Sequence, residues 1–369
     1  MKAVLIVGGE GTRLRPITCD THKSLVPVAN RTILEHVLAH LSRHGVREAI
    51  LTTGYLGGAF EAFPPERSSG VRLTVVQEEK PLDTCGAVRN VADCLDDTFF
   101  VLNGDILTDL DLTAMLQFHR ERRAAGTISL TRVQDPSSYG LVPVDPEGRI
   151  QQFIEKPRAD QAVSSALINA GTYILEPETL ERVPSGVPWS FERNLFPDLL
   201  SGDAGLYGFE SASYWLDLGT PQKYLTANLD VLGGKVGERP PGTRDESGTW
   251  VDEGATVDPA ARVRGPAALG AGSRLEAGSV VYPRSCLGSQ CVVGPGAIVE
   301  ESVLHDEVVV EEGAVVERSI LCGGVRVGAG TRISDAIIGS GVRVGPGNEL
   351  RAGIRLWPGL DVPEASIRF

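Results

Sequence analysis

From Val251 onward the chain repeats every six residues, a period that few folds accept. Val251, Val257, Val263, Leu269, Leu275, Val281, Leu287, Val293 and Val299 are all aliphatic, each six residues after the last. Gly254, Ala260, Pro266, Gly272, Gly278 and Gly296 put small or turn-forming residues at most of the fourth positions between them. An amphipathic helix cannot use this stripe, because about 3.6 residues per turn scatters a six-residue period around the axis. A parallel β-helix can: one aliphatic points inward from each short face, and small residues turn the corners. The phase slips across 303–326 and resumes at Ile338, Val344, Leu350 and Leu356.

The first two thirds of the chain read differently. KAVLIVG (2–8), AILTTG (49–54), LTVVQ (73–77), FFVLNGD (99–105) and TISLTRV (127–133) are apolar runs suited to buried strands. Residues 32–44, 86–95 and 111–123 carry helical patterns, and Gly45 stops the first of them. This alternation predicts an α/β layered domain with a mostly parallel sheet. GKVGERPPGTRDESGT (234–249) is rich in Gly, Pro and charge and reads as a linker. The expected organisation is a first domain over 1–233, a linker over 234–250 and the repeat over 251–369.

Charge narrows the partners. With 48 Asp and Glu against 35 Lys and Arg, the net charge is −13. Such a chain is a poor ligand for nucleic acid, so an anionic substrate must meet a local basic cluster. The apolar start MKAVLIVGG is cut by glycines and followed by GTRLRP, which leaves no signal-peptide core. No run of 18 apolar residues occurs, so no membrane span is expected. Six cysteines without a CxxC pair suit reduced thiols and a cytoplasmic location.

The strongest local signal is VGGEGTRLRP (7–16), directly after the first predicted strand. Val7 ends the apolar run. Gly8, Gly9 and Gly11 let backbone N–H groups approach an anion, and Thr12 can add a hydroxyl. Arg13 and Arg15 supply permanent charge suited to phosphate. The motif is neither a Walker A loop nor a GxGxxG turn. In THKSLVPVAN (21–30), Lys23 could reach the same phosphates.

These segments resemble the signature of the nucleotide-sugar pyrophosphorylases, GGxGTRLRPLT followed by PKPLxPVxxxPxL. LNGD (102–105), YG (139–140), FIEKP (153–157), INAG (168–171) and YWLDLG (214–219) follow in that family's order. With the hexapeptide tail, the resemblance covers nearly the whole chain. The ending RAGIRLWPGLDVP resembles the mannose-1-phosphate guanylyltransferase subgroup. The implied fold is a Rossmann-like nucleotidyltransferase domain with a mixed, mostly parallel sheet, followed by a C-terminal left-handed parallel β-helix of hexapeptide repeats.

The resemblance implies a nucleotidyl transfer from a nucleoside triphosphate, GTP as the first expectation, to a sugar 1-phosphate, mannose 1-phosphate by default. It assigns Asp105 and Asp217 to a Mg²⁺ ion, which takes hard oxygen ligands. It assigns Arg13, Lys23 and Lys156 to charge neutralisation. Nucleotide contacts would come from Val7, Gly8, Gly9, Gly11, Thr12, Arg13, Gln77, Glu78, Asp83, Thr84 and Gly104. Sugar-phosphate contacts would come from Tyr139, Gly140, Glu155, Lys156, Asn169 and Gly171. The base is open at this point: Glu78 facing it would accept from guanine N1–H and N2–H, whereas Gln77 would match a uracil or thymine amide.

Three departures stand out. The family's PKP is His22-Lys23-Ser24, its LGTAG is LDTCG (82–86), and its PxL is Arg31-Thr32-Ile33. These changes would suit an unusual hexose or a cyclitol phosphate, and dTTP, UTP or ATP as donor stays open. A non-catalytic regulatory paralogue is an alternative, although the arginine, lysine and aspartates it would lose are present. An acyltransferase β-helix would need a histidine base, and the repeat offers only His305, read here as a surface residue. A scaffolding, homo-oligomeric role is the expectation for the repeat.

Overall fold

The apolar run at the N-terminus becomes the centre of a seven-stranded sheet. The computed structural model describes residues 1–54, 56–133, 135, 139–154, 167–202 and 205–368. Glu155 and Lys156 lie outside them. Contacts divide the chain into two compact units, Met1–Gly9 with Leu34–Asp217, and Glu10–Ile33 with Leu218–Phe369.

In the first unit, β1 (Lys2–Ile6), β2 (Glu48–Thr53), β3 (Arg72–Gln77), β4 (Phe99–Asn103), β6 (Gly126–Arg132), β7 (Leu167–Leu175) and β8 (Leu206–Glu210) form one sheet, in the order β8-β6-β7-β4-β1-β2-β3. β5 (Ile106–Thr108) and β9 (Trp215–Asp217) form a separate antiparallel ribbon. Ala3, Val4 and Leu5 of β1 are fully buried, as a central strand flanked on both sides requires. The five strands predicted from apolar runs all appear in the sheet. β7 runs antiparallel to both its neighbours and makes the sheet mixed.

Helices α1 (Ile33–Arg43), α2 (Asp83–Arg89), α3 (Leu112–Arg122) and α4 (Phe196–Ser201) lie in the sequence segments between strands. α3 starts where Asp111 accepts from the Ala114 amide at 2.9 Å and ends on Arg123 in the left-handed region. No helix among the described residues is long and apolar enough to cross a membrane.

The second unit contains the repeat, whose short strands stack into three parallel sheets. Ala267 pairs with Ser285, eighteen residues on, but Cys286 pairs with Val303, seventeen on. The coil therefore loses one residue per turn there, and the loss explains the phase slip. The inward series continues without a gap through Leu304, Val310, Val316, Leu321, Val327, Ile333 and Ile338, all buried. Glu301, Arg318 and Asp335 turn the shortened corners in left-handed conformations, and Arg318 binds Asp335 with two hydrogen bonds of 2.9 Å.

α5 (Pro221–Leu232) and residues 10–33 belong to this second unit. Contacts thus divide the chain elsewhere than at residue 233, because the segment after β1 leaves the sheet and packs with α5 and the coil. The segment read as a linker is ordered. Val236 and Glu238 are buried, and Thr243–Arg244 pairs antiparallel with Trp250–Val251, covering the first edge of the coil.

Candidate active site

The chain adds β2 and β3 on one side of β1, then places β4 on the other. Ligands of open α/β sheets bind beyond the carboxyl ends of the strands at such a reversal. Val7 and Gly104 extend the two strands there, the Val7 amide donating to Thr52 O at 3.0 Å and the Gly104 amide to Ile6 O at 3.0 Å. Gly8 sits between Gly54 and Glu78: a Cβ on it would lie 3.8 Å from Gly54 N and 3.9 Å from Glu78 Oε1. Gly9 is exposed.

Glu78 is fixed by two backbone bonds. Its amide donates to Thr53 O at 2.7 Å, and its Oε2 accepts from the Leu82 amide at 3.0 Å. Burial raises its carboxyl above the ordinary carboxylate range, with the Leu82 amide acting in the opposite direction. Gln77 alternates to the other face of the strand end, is exposed and lies near Gly57. Glu78, not Gln77, therefore flanks the glycine turn.

Asp83 keeps a left-handed backbone, φ 59°, at the position where the family signature has glycine. Its carboxylate accepts from Arg193 Nη2 and from the Thr84 amide. Thr84 Oγ1 accepts from the Phe191 amide at 3.2 Å, and Cys85 and Gly86 donate to Trp189 O. Residues 82–86 are thereby clamped to 189–193.

Asp83 and Arg193 line a cavity of about 470 Å³, together with Asp105, Tyr139, Gly140, Asn169, Gly171, Glu192, Trp215 and Asp217. Asp217 stands opposite Ile106 in the β5–β9 ribbon, so Asp105 and Asp217 emerge at the same end of it. Their donor chemistry fits Mg²⁺, which takes one or two carboxylates and fills its shell with phosphate and water. No group of three or more metal-binding side chains occurs among the described residues.

Also lining the cavity, Asn169 donates through Nδ2 to Tyr173 Oη at 2.9 Å and to Glu192 Oε1 at 3.2 Å. Ser190 Oγ and Tyr173 Oη also donate to Glu192, at 3.0 and 3.1 Å. Gly171, φ 73°, admits no side chain, since a Cβ would lie 2.5 Å from Ile106 Cδ1 and 2.7 Å from Asn103 Nδ2. The Tyr139 and Trp215 rings meet edge to face at 5.6 Å.

Gly11, Thr12, Arg13 and Lys23 belong to the second unit. Gly11 is left-handed, φ 62°, and a Cβ there would lie 3.3 Å from Lys23 Cβ. Thr18 Oγ1 donates to Gly11 O at 2.7 Å. Lys23 is only 8% exposed, whereas Thr12 and Arg13 face solvent. His22 Nδ1 accepts from the Ser24 amide at 3.1 Å, and both residues are buried. Side-chain capping thus stiffens the lysine turn in place of the absent prolines.

The sequence reading did not single out Ser190, Glu192, Arg193, Phe153 or Trp215 as cavity residues. Residues 191–195 form a single π-turn, which presents Glu192 and Arg193 without a helical or strand period to betray them. Trp215 was within reach, since it neighbours Asp217 in YWLDLG. His305 is half-buried beneath α5, its Nε2 2.9 Å from Tyr224 Oη, and is not the free surface residue expected.

A sheet reversal ending in glycines, in a unit that also holds a carboxylate-lined cavity, is an arrangement of enzymes that handle nucleotides and sugars. The nucleotidyl transferase family profile matches residues 2–233, and the chain belongs to that family as a sugar-1-phosphate nucleotidyltransferase. The chain is 42% identical over 374 residues to a mannose-1-phosphate guanylyltransferase of Mycobacterium tuberculosis, an alignment covering 100% of this chain and 97% of that one. It is 32% identical over 323 residues to a UTP–glucose-1-phosphate uridylyltransferase of Synechocystis, covering 83% of each. The crystal structure of HddC from Yersinia pseudotuberculosis complexed with GMP-PN superposes with a TM-score of 0.54 at 27% identity, over 62% of this chain and 97% of that one. Residues 247–350 match the LbH domain of EIF2B subunit epsilon, and the coil is a left-handed β-helix.

Proposed function

We propose that this enzyme transfers a guanylyl group from GTP to mannose 1-phosphate, giving GDP-mannose and pyrophosphate. The observation that carries the base is the Glu78 carboxylate beside Gly8, since a carboxylate accepts from both N1–H and N2–H of guanine. The full-length similarity to a mannose-1-phosphate guanylyltransferase supports the pair of substrates.

In this reading a phosphate oxygen of the sugar phosphate attacks the α-phosphorus in line, and pyrophosphate leaves. The attacker is already an anion, so no covalent enzyme nucleophile is needed. Asp105 and Asp217 would hold the Mg²⁺, whose charge offsets that developing on the α-phosphate oxygens. Arg13 and Lys23 serve the triphosphate with the amides around Gly8, Gly9 and Gly11, and Lys156 serves the sugar phosphate. Asn169, Glu192 and the backbone at Gly140 and Gly171 present acceptors and donors to sugar hydroxyls, and the bonds within the Asn169–Tyr173–Glu192 cluster fix their directions. Assembly of identical chains through the repeat belongs to the same reading, supported by exposed Trp357 and Leu360 and checked by light scattering.

The test is pyrophosphate release from mannose 1-phosphate with Mg²⁺ and GTP, UTP, dTTP, ATP or CTP in separate reactions. Turnover with GTP alone is expected. A preference for UTP or dTTP would overturn the role of Glu78, and silence with GTP across a panel of sugar and cyclitol phosphates would overturn the function.

A further inference from the structure

Residues 10–33 leave the sheet and fold with the β-helix, and the bonds that hold them there are directional. The hairpin Pro27–Val28/Arg31–Thr32 turns on Ala29 and Asn30, both left-handed at φ 47° and 64°. Asparagine accepts this conformation readily, but alanine does not. The strain at Ala29 is held by its amide, which donates to Asn228 Oδ1 of α5 at 2.7 Å. Asn30 is bonded to one coil of the repeat at both ends of its amide. Nδ2 donates to Leu287 O at 2.7 Å, and Oδ1 accepts from the Cys286 thiol at 3.1 Å.

A second anchor lies at Tyr224 of α5, whose hydroxyl donates to Pro27 O. Its single proton is thereby used, so His305 must carry a proton on Nε2 and donate it to the tyrosine oxygen at 2.9 Å. On the other flank, Arg355 Nη1 donates to Arg15 O at 3.2 Å. The stretch that carries Lys23 is therefore tied at Arg15 and at 27–30, both times to α5 or the coil. Directional polar bonds, partly or fully buried at 27–30, fix one geometry, where apolar contact would tolerate sliding.

We propose that the β-helix positions the phosphate-binding loop, with Asn30 and Tyr224 as positioning residues that set Arg13 and Lys23 for the triphosphate. The proposal rests on the guanylyltransferase reading for the identity of the ligand, but the anchoring itself does not. A repeat acting only as a scaffold would affect stability and both substrates alike. A positioning role falls on the triphosphate alone.

The experiment uses the full chain with Mg²⁺ and two variants. Asn30→Gly keeps the left-handed turn and removes both side-chain bonds to the coil; Tyr224→Phe removes the bonds to Pro27 and His305. GTP binding is measured by calorimetry, and KM for GTP and for mannose 1-phosphate by initial rates. The expected result is at least a fivefold loss of GTP affinity and a matching rise in its KM, with KM for mannose 1-phosphate within twofold of wild type. Asn30→Asp, which keeps the turn and the acceptor atom, should fall between. GTP affinity within twofold of wild type in both variants would overturn the proposal, as would both KM values rising together in step with a lost Tm. If the wild-type chain neither binds nor turns over GTP, the guanylyltransferase reading fails. Amide hydrogen exchange across 10–33 then decides the anchoring: faster exchange in Asn30→Gly supports it, and unchanged exchange overturns it.

Discussion

At the scale of single residues, two carboxylates at the nucleotide end of the first unit do opposite work. In the proposed role Glu78 must be charged to accept from guanine, yet burial raises its pKa. Affinity for GTP should therefore fall on acidification from a pH above that of an ordinary glutamate, as protonation removes an acceptor. Glu78→Gln should raise KM for GTP by about 10- to 100-fold, measured by initial rates, since a mismatched buried donor is left facing the base. Asp83 bears backbone strain instead. Asp83→Ala should destabilise the protein by about 1–2 kcal/mol in urea unfolding, whereas Asp83→Gly should stay within about 1 kcal/mol, because glycine takes φ 59° freely and the Arg193 pair is half-exposed. The sequence named both residues but could not orient them. Whether Gln77 or Glu78 faces the glycine turn depends on where β3 ends, and a one-residue shift would have exchanged them. The sequence showed Asp83 in place of the family's glycine, and only the backbone angle and Arg193 show how it is accommodated.

At the scale of elements, β7 carries part of the wall of the cavity beside Asp105 and Asp217 and has no room at its glycine. Gly171→Ala should lower kcat/KM by at least about 100-fold through collision with Ile106 and Asn103, measured by initial rates. α1 buries His40, and burial, with His44 and Arg43 adding, lowers its pKa from 6.5 to about 3. Below about pH 6.5 the unfolded chain takes up a proton that the folded chain refuses, so stability present above that pH is lost as pH falls toward 3. His40→Gln should show a smaller drop in urea midpoint between about pH 7.5 and about pH 5 than wild type does. β1, β2, β4 and β6 were legible as unbroken apolar runs because they are buried on both faces, whereas β3 is a half-exposed edge strand. The direction of β7 was not, since INAGTYIL reads alike in either orientation. The hexad announced the coil, and its apparent slip was the same repeat with one corner a residue shorter.

At the scale of the whole molecule, the expected first domain spanned 1–233 and the repeat began after a linker, but residues 10–33 group with the repeat. Neither composition nor periodicity could show this, because bonds such as Asn30 to Leu287 join positions 257 residues apart. A chain ending at residue 233 would keep the α5 bonds to Pro27 and Ala29 but lose the coil's bonds to Asn30 and Arg15. The expected outcome is a truncated protein with no measurable GTP turnover and rapid proteolysis within 10–33, checked by limited digestion beside the full chain. The same arrangement sets a timetable for biosynthesis. Asn30 leaves the ribosome long before Leu287 exists, and at roughly 5–20 residues per second the interval is about 13–50 s. For that time the nascent loop must wait, held by solvent or by a chaperone, while the sheet strands around it are already free to pair.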